Sequence, residues 1–483
     1  MSAETKPLLP NSNFKGEENW AKRKWLEMRH SPKTAVVVTF IAFALDLMLL
    51  TVVDPVLPDI VNAMYTYALN TTGEVDGGEN LARDVGIING AKPLTQVLLN
   101  PFFGMIISRI GHTIPLLAGF LCTMASTIGF AYSYVFWILF LCRCLQGIGS
   151  SLITISALTM LSSIYTKADE RSVAMAVSLS GISFGLIFGF PFGSALYQFF
   201  GREAPFLAMA VITLIGAAIR FCLMPVNISK ESKTHDTICD VISVLTDPYI
   251  LISTGVNFWL CYAIGSIVGI GPVYLIADLK AWQWEIGVLF LVGAVVQTFF
   301  QYTLSPFSHK IGWWLLCFIG LILISIGVST FPVMPSLWWT LVPQLIYSIG
   351  GGLVICSNPA LQGHLADIRV GSRYGAVFAL CDAGTNLGYF LGSLITGVLV
   401  NQFPFMPVFG GTGAVIFLLS FLCLILKNVP EITSRPVSQS GKHFETGIVK
   451  SHENGIVKSH ENAIMKPQEN GNITSSETDK LLK

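Results

Sequence analysis

The sequence predicts an all-α polytopic membrane protein with twelve transmembrane helices in two six-helix bundles and both termini in the cytosol. Three observations carry this expectation. The 483 residues are 52% hydrophobic and only 12% charged, with a mean hydropathy of +0.63, where a soluble domain carries about 25% charged residues. The apolar residues gather in runs near 34–58, 85–107, 113–132, 136–163, 172–197, 204–224, 248–274, 286–306, 311–331, 337–358, 373–400 and 405–427, each close to the ~20 residues a span needs. The polar segment 225–247 divides these runs six from six, the layout of membrane folds built from two parallel repeats around a midplane site.

The expected organisation is a cytosolic tail (1–33), an N-terminal bundle (34–224) with an outward loop at 59–84, a central loop (225–247), a C-terminal bundle (248–427) and a polar tail (428–483). Orientation follows the distribution of Lys and Arg. Lys22, Arg23, Lys24, Arg29 and Lys33 precede the first run, and Arg109, Lys167, Arg171, Lys230, Lys233, Lys310, Arg369 and Arg373 fall on the same side. Glu74, Asp76, Glu79, Arg83 and Asp84 fall on the other. The first thirty residues are polar, so no cleavable signal peptide is expected. A formal net charge of zero gives no basis for a nucleic-acid partner. Nine of the ten cysteines lie in apolar runs at no metal-ligand spacing, so no disulfide, metal or other cofactor is expected. No nucleophile constellation or nucleotide loop points to an enzyme.

Five charges lie inside the apolar runs: Asp46, Asp54, Lys92, Arg143 and Asp382. Each costs roughly 3 kcal/mol near a bilayer centre, so it persists only where it is paired, hydrated or used. Asp46 follows Lys33 by 13 residues, about 20 Å along a helix, and a carboxylate at that depth suits an organic cation. Asp54, beside Pro55, reads as a solvated helix end. Lys92, Gln96 and Asn100 recur every four residues and form one polar stripe. Lys92 needs a buried anion, and Asp382 is the expected partner, either as a structural pair or as a titrating one. Arg143 cannot be neutralised and serves either a proton path or the architecture.

The loops RIG (109–111) and KIG (310–312) recur at matching places in the two halves. They resemble the inter-helix gating loop of the major facilitator superfamily, with Arg109 and Lys310 as its basic residues. RCLQGIGSS (143–151) matches the Arg-x-x-Gln-Gly pattern of that superfamily's proton-coupled members. Gly181, Gly185, Gly189 and Gly193, with Pro191, resemble its antiporter motif; ordinary helix packing by small residues is the alternative. More narrowly, LDLMLLTVVDPVLP (45–58), KPLTQVLLNPFFG (92–104), TDPYILI (246–252), DIRVGSRYGAVFALCD (367–382) and GYFLG (388–392) resemble the vesicular amine transporters. The resemblance implies that Asp46 takes a substrate ammonium, that Gln96 and Asn100 line the path, and that Lys92, Asp382 and Arg143 form the proton-linked network. Leu47, Val268 and Ile416 stand where that family carries Asn, Glu and Asp, and its outward-loop cysteines are missing, which marks a divergent member with an unsettled substrate.

Glu-Thr-Lys-Pro-Leu8-Leu9 and Glu-Thr-Asp-Lys-Leu481-Leu482 each have the acidic dileucine form read by clathrin adaptors. The sequon at Asn70 is an expected outward glycan site. Together these features predict a monomeric, proton-coupled antiporter that moves a small cationic amine into secretory or synaptic vesicles through the lipid bilayer. The alternatives are a polyamine or drug exporter of the same fold, or a sensor or scaffold that no longer transports.

Overall fold

The structure, a computed structural model, describes residues 31–72, 80–165, 168–223, 244–370 and 374–430. Among these residues the chain is built of helices. The long ones are α1 (Pro32–Thr72), α2 (Leu81–Ile110), α3 (Thr113–Tyr132), α4 (Phe136–Ile164), α5 (Ala168–Phe200), α6 (Ala204–Leu223), α7 (Pro248–Ala277), α8 (Gln283–Leu304), α9 (Trp313–Thr330), α10 (Leu341–Arg369), α11 (Tyr374–Gln402) and α12 (Phe405–Ser420). A 3-10 segment, Phe421–Lys427, continues α12. Among the described residues, eleven helices are long and apolar enough to cross a membrane. α2 falls outside that set. Its 30 residues reach about 45 Å, but Arg83, Asp84 and Lys92 dilute its apolar character.

The first span corrects the expected boundary. Instead of ending at 58, α1 runs 41 residues to Thr72 and takes in half of the expected loop 59–84. Pro55 and Pro58 lie inside it. Proline keeps a helix-compatible φ, and packed neighbours can satisfy the carbonyls it frees. No glycine or proline interrupts residues 59–72, so nothing stops the helix there. Asn70 is consequently an exposed residue in its last turns.

Two glycine ladders set the helix pairing. A methyl group added at Gly181 would collide with the Phe40 carbonyl, at Gly185 with the Ala44 carbonyl, at Gly189 with the Thr51 hydroxyl and at Gly193 with Val52. These four residues seat α5 backbone-to-backbone on α1, as the packing reading of the antiporter-like motif requires. In the second half, Gly384 meets Thr254, Gly388 the Phe258 carbonyl and Gly392 the Tyr262 carbonyl, seating α11 on α7 in the same way. Each half also turns on an equivalent glycine of positive φ, Gly111 at 86° and Gly312 at 103°.

TDP and DIR, distant in sequence, meet in space. Asp247 caps α7 by accepting from the Tyr249 and Ile250 amides at 3.0 and 3.3 Å, with Pro248 in the first turn. Its second oxygen takes Arg369 Nε at 2.7 Å, and the guanidinium also covers the Tyr249 ring.

The largest apolar core lies mainly within α7–α12, centred on Ile267, Phe290, Tyr347 and Phe409, with Phe190 of α5 joining it. The two larger cores of α1–α6 lie around Ile60, Ile88 and Phe206 and around Ala42, Leu116 and Phe120. The halves meet where α2 packs on α11 and α5 on α8, for example through the rings of Phe190 and Phe290, 5.2 Å apart.

Candidate functional site

α2 is the spine of the site. Asn89, Lys92, Gln96 and Asn100 lie on one face of it, and three polar clusters hang from that face within about 16 Å. α4 is held tightly beside it. A methyl group on Gly147 would strike the Lys92 carbonyl at 2.6 Å, and one on Gly149 would strike Thr123 of α3. The Gln-Gly-x-Gly part of RCLQGIGSS therefore lets α4 touch α2 and α3 at once, which brings Arg143 and Ser150 to the seam.

The middle cluster corrects the expected pairing of Lys92. Lys92 Nζ lies 3.3 Å from Asp46 Oδ1, with side-chain exposures of 3% and 15%. The Ser150 hydroxyl donates to the same oxygen. Asp382 sits instead at the level of Asn100, whose eight-residue offset from Lys92 is about 12 Å of helix and puts it out of reach. Asp46, expected to await a cation, already holds one.

The second cluster centres on Asp382. Its Oδ2 accepts from Asn100 Nδ2 at 2.7 Å and from Asn386 Nδ2 at 3.2 Å. Among the described residues no Lys or Arg pairs with it, and it is exposed within the structure. Asp382 is thus a carboxyl held by neutral amides from both halves.

The third cluster corrects the reading of Asp54. Asp54 is 1% exposed and lies 3.5 Å from the guanidinium of Arg143, itself 0% exposed. Arg143 donates to Gln146 Oε1 at 3.0 Å and to Asn89 Oδ1 at 2.7 Å. Asn89 in turn donates to the Gly269 carbonyl of α7 at 3.2 Å, and the Tyr389 hydroxyl of α11 donates to Asp54 Oδ2 at 3.2 Å. Asp54 is no solvated helix end, because α1 continues 18 residues beyond it and both halves close over it. Sequence reasoning missed Asn89 and Tyr389. Asn89, one turn before Lys92 on the same stripe, was open to detection. Tyr389 was marked only by a hydroxyl in an apolar run.

Gln96 is half-buried on the α2 face. Lys310 is exposed in the short helical turn Ser308–Ile311. Arg109 falls in the last turn of α2, its side chain outside the described residues. Leu8, Leu9, Leu481 and Leu482 also lie outside them. Val268 and Ile416 are buried in the second-half core. Apolar packing therefore fills the places where the resemblance called for acids.

The family model described as Major Facilitator Superfamily matches residues 35–367. The synaptic vesicular amine transporter of Mus musculus is 30% identical over 471 residues, covering 84% of this chain and 90% of the relative. The vesicular acetylcholine transporter of Tetronarce californica is 29% identical over 443 residues, covering 85% of each. Among solved structures, a D-xylose-proton symporter superposes with a TM-score of 0.65 at 15% identity, covering 83% of this chain and 98% of that one; that likeness bears on the fold alone. The glycine-seated repeats, the charged seam and these similarities identify the chain as a divergent member of the vesicular amine transporter family within the Major Facilitator Superfamily.

Proposed function

We propose that the protein is a proton-coupled antiporter that loads a small organic cation, a monoamine-like or related amine, into acidic vesicles by alternating access of two six-helix halves, with α2 as the twelfth span. One observation carries this reading. The seam holds three carboxyls, Asp46, Asp54 and Asp382, against two cations, Lys92 and Arg143. With all five ionised, one negative charge is left over. A proton or a substrate ammonium can neutralise it, but not both together, and that competition is the minimal chemistry of exchange. Asp382 is the natural carrier of the excess charge, because it is accessible and its partners are neutral amides.

Alternating access fits the contacts between halves. Asn89–Gly269 and Tyr389–Asp54 close the seam at one level while Asp382 stays reachable at another. In this reading the termini are cytosolic, Asn70 faces the lumen and carries a glycan, and the two dileucine tails bring clathrin adaptors and vesicular sorting. The protein works as a monomer with no resident cofactor. Protonation of Asp382 removes the excess negative charge and favours cargo release. Uptake of radiolabelled amines into acidified vesicles tests this: Asp382→Asn abolishes the pH-driven component, whereas unchanged proton-driven uptake refutes a coupling role for this carboxyl.

A further inference from the structure

Asp54 enters that scheme only as a charge, and its surroundings differ from those of the other two acids. Asp46 holds the ammonium of Lys92, so protonating it would strip a buried cation of its ion-pair partner. Protonating Asp54 likewise removes the counter-charge of Arg143, but that cation keeps directed hydrogen bonds of its own. Both of its hydrogen bonds go to neutral amides, Gln146 and Asn89, and its approach to Asp54 Oδ1 is a 3.5 Å charge contact in which that oxygen accepts no hydrogen bond. Asp54 can therefore take a proton on Oδ1 while Arg143 keeps both hydrogen bonds and Tyr389 still donates to Oδ2. The charged and titratable groups facing Asp54 are Arg143 on α4, Lys92 on α2 and Tyr389 on α11. α7 contributes the Gly269 carbonyl, through Asn89, and the apolar Ile270 and Val273.

Position supplies the second half of the argument. Along α11, Tyr389 and Asp382 are seven residues apart, about 10 Å. In this conformer Asp382 is exposed, while Asp54 is sealed by contacts that cross between the halves. Parting the halves at that level would break the Tyr389 contact and admit water to Asp54, while closing the other level would cover Asp382. The two carboxyls are placed to face opposite compartments in turn.

We propose that Asp54 is a second titrating carboxyl, protonated and deprotonated from the side opposite to Asp382, so that the acidity of that compartment acts on the seam that Asp54, Arg143 and Tyr389 close. The step is a simple transfer: one proton from water binds the carboxylate when the seam opens and returns to water on the same side, so Asp54 moves no net proton across the membrane and responds to the acidity of that one compartment. The inference rests on the antiport reading for its consequence in transport, but not for the titration itself.

Infrared difference spectroscopy of the purified full chain, acidified from about pH 8 to about pH 5, spans the range in which perturbed carboxyls titrate. The expected result is a protonated-carboxyl band with separable components. Asp54→Asn loses one, Asp382→Asn loses another, and Tyr389→Phe shifts the Asp54 component to higher frequency because its hydrogen bond is gone. Should Asp54→Asn fail to fold, Asp54→Glu carries the test, with a displaced component in place of a lost one. Spectra unchanged by substitution at Asp54, or a component insensitive to Tyr389→Phe, overturn the assignment. Unchanged proton-driven uptake in Asp382→Asn would sink the antiport reading and leave the Asp54 component in place, so the two failures are distinguishable.

Discussion

Lys92 Nζ sits 3.3 Å from Asp46 Oδ1, in the place a substrate ammonium would take. In the proposed transport reading, cargo that binds Asp46 has to displace this tethered ammonium, and without cargo Lys92 keeps the carboxylate compensated. Breaking a buried pair from one side costs about 3–5 kcal/mol, because the survivor is left without its counter-charge. Lys92→Met and Asp46→Asn singly are expected to lower the melting temperature of the detergent-solubilised protein sharply. The double variant should recover most of the loss. A double variant as unstable as the sum of the singles would show that the contact is not a coupled pair.

Arg143 makes two directed bonds from one planar fork, and a lysine ammonium cannot reproduce that geometry. Charge-assisted hydrogen bonds are worth about 1.5–3 kcal/mol, so Arg143→Lys should reduce transport about tenfold or more at normal expression. Uptake equal to wild type would indicate that only the charge matters.

The glycine ladder makes a contrast that melting curves can read. Gly185→Val places a branched side chain against the Ala44 carbonyl and Met48 amide of α1 and should destabilise by at least the about 1–3 kcal/mol typical of overpacking. Gly363, which has nothing within 4 Å of an added methyl, should accept alanine with little change. Equal effects at the two positions would remove the close α1–α5 seating as the explanation of the motif.

His112, between α2 and α3, is pushed down to about 4, first by burial and then by the nearby Arg220. The unfolded imidazole titrates near ~6.5, so between those values the unfolded state binds more protons than the folded one. Stability therefore rises with pH through that window, and its loss begins as pH falls below about 6.5 and levels off below about 4. Melting temperatures across this range should fall on acidification, and His112→Gln should flatten that part of the profile. A wild-type profile already flat there would contradict the assignment.

Orientation has its own check. With Asn70 exposed near the end of α1 and on the lumenal side, endoglycosidase should shift the gel mobility of the wild type and leave Asn70→Gln unchanged. A wild type without any shift would count against that topology.

Much of this was legible in the sequence. Hydropathy located the helices, because a ~30 Å hydrocarbon layer demands long apolar runs, and the α2 stripe was visible as a four-residue period. Partner choice was not. Asp46 and Asp382 are both acids inside apolar runs, and only the packed structure shows that Asp46 lies at the level of Lys92 while Asp382 lies at the level of Asn100. Asp54 was misread because prolines suggested a helix end, whereas neighbouring helices carried α1 through them. The second glycine ladder, Gly384, Gly388 and Gly392, had the same spacing as the first and could have been read as its repeat.

The most direct test of coupled exchange uses acid-loaded proteoliposomes containing the wild-type chain, a trapped pH indicator and an external panel of permanently charged quaternary amines that do not cross lipid unaided. The predicted result is that at least one amine accumulates and raises the internal pH above the protein-free control, with both signals lost together in Asp382→Asn. Accumulation with no internal pH rise, or identical traces from the wild type and Asp382→Asn, would contradict proton exchange at this seam.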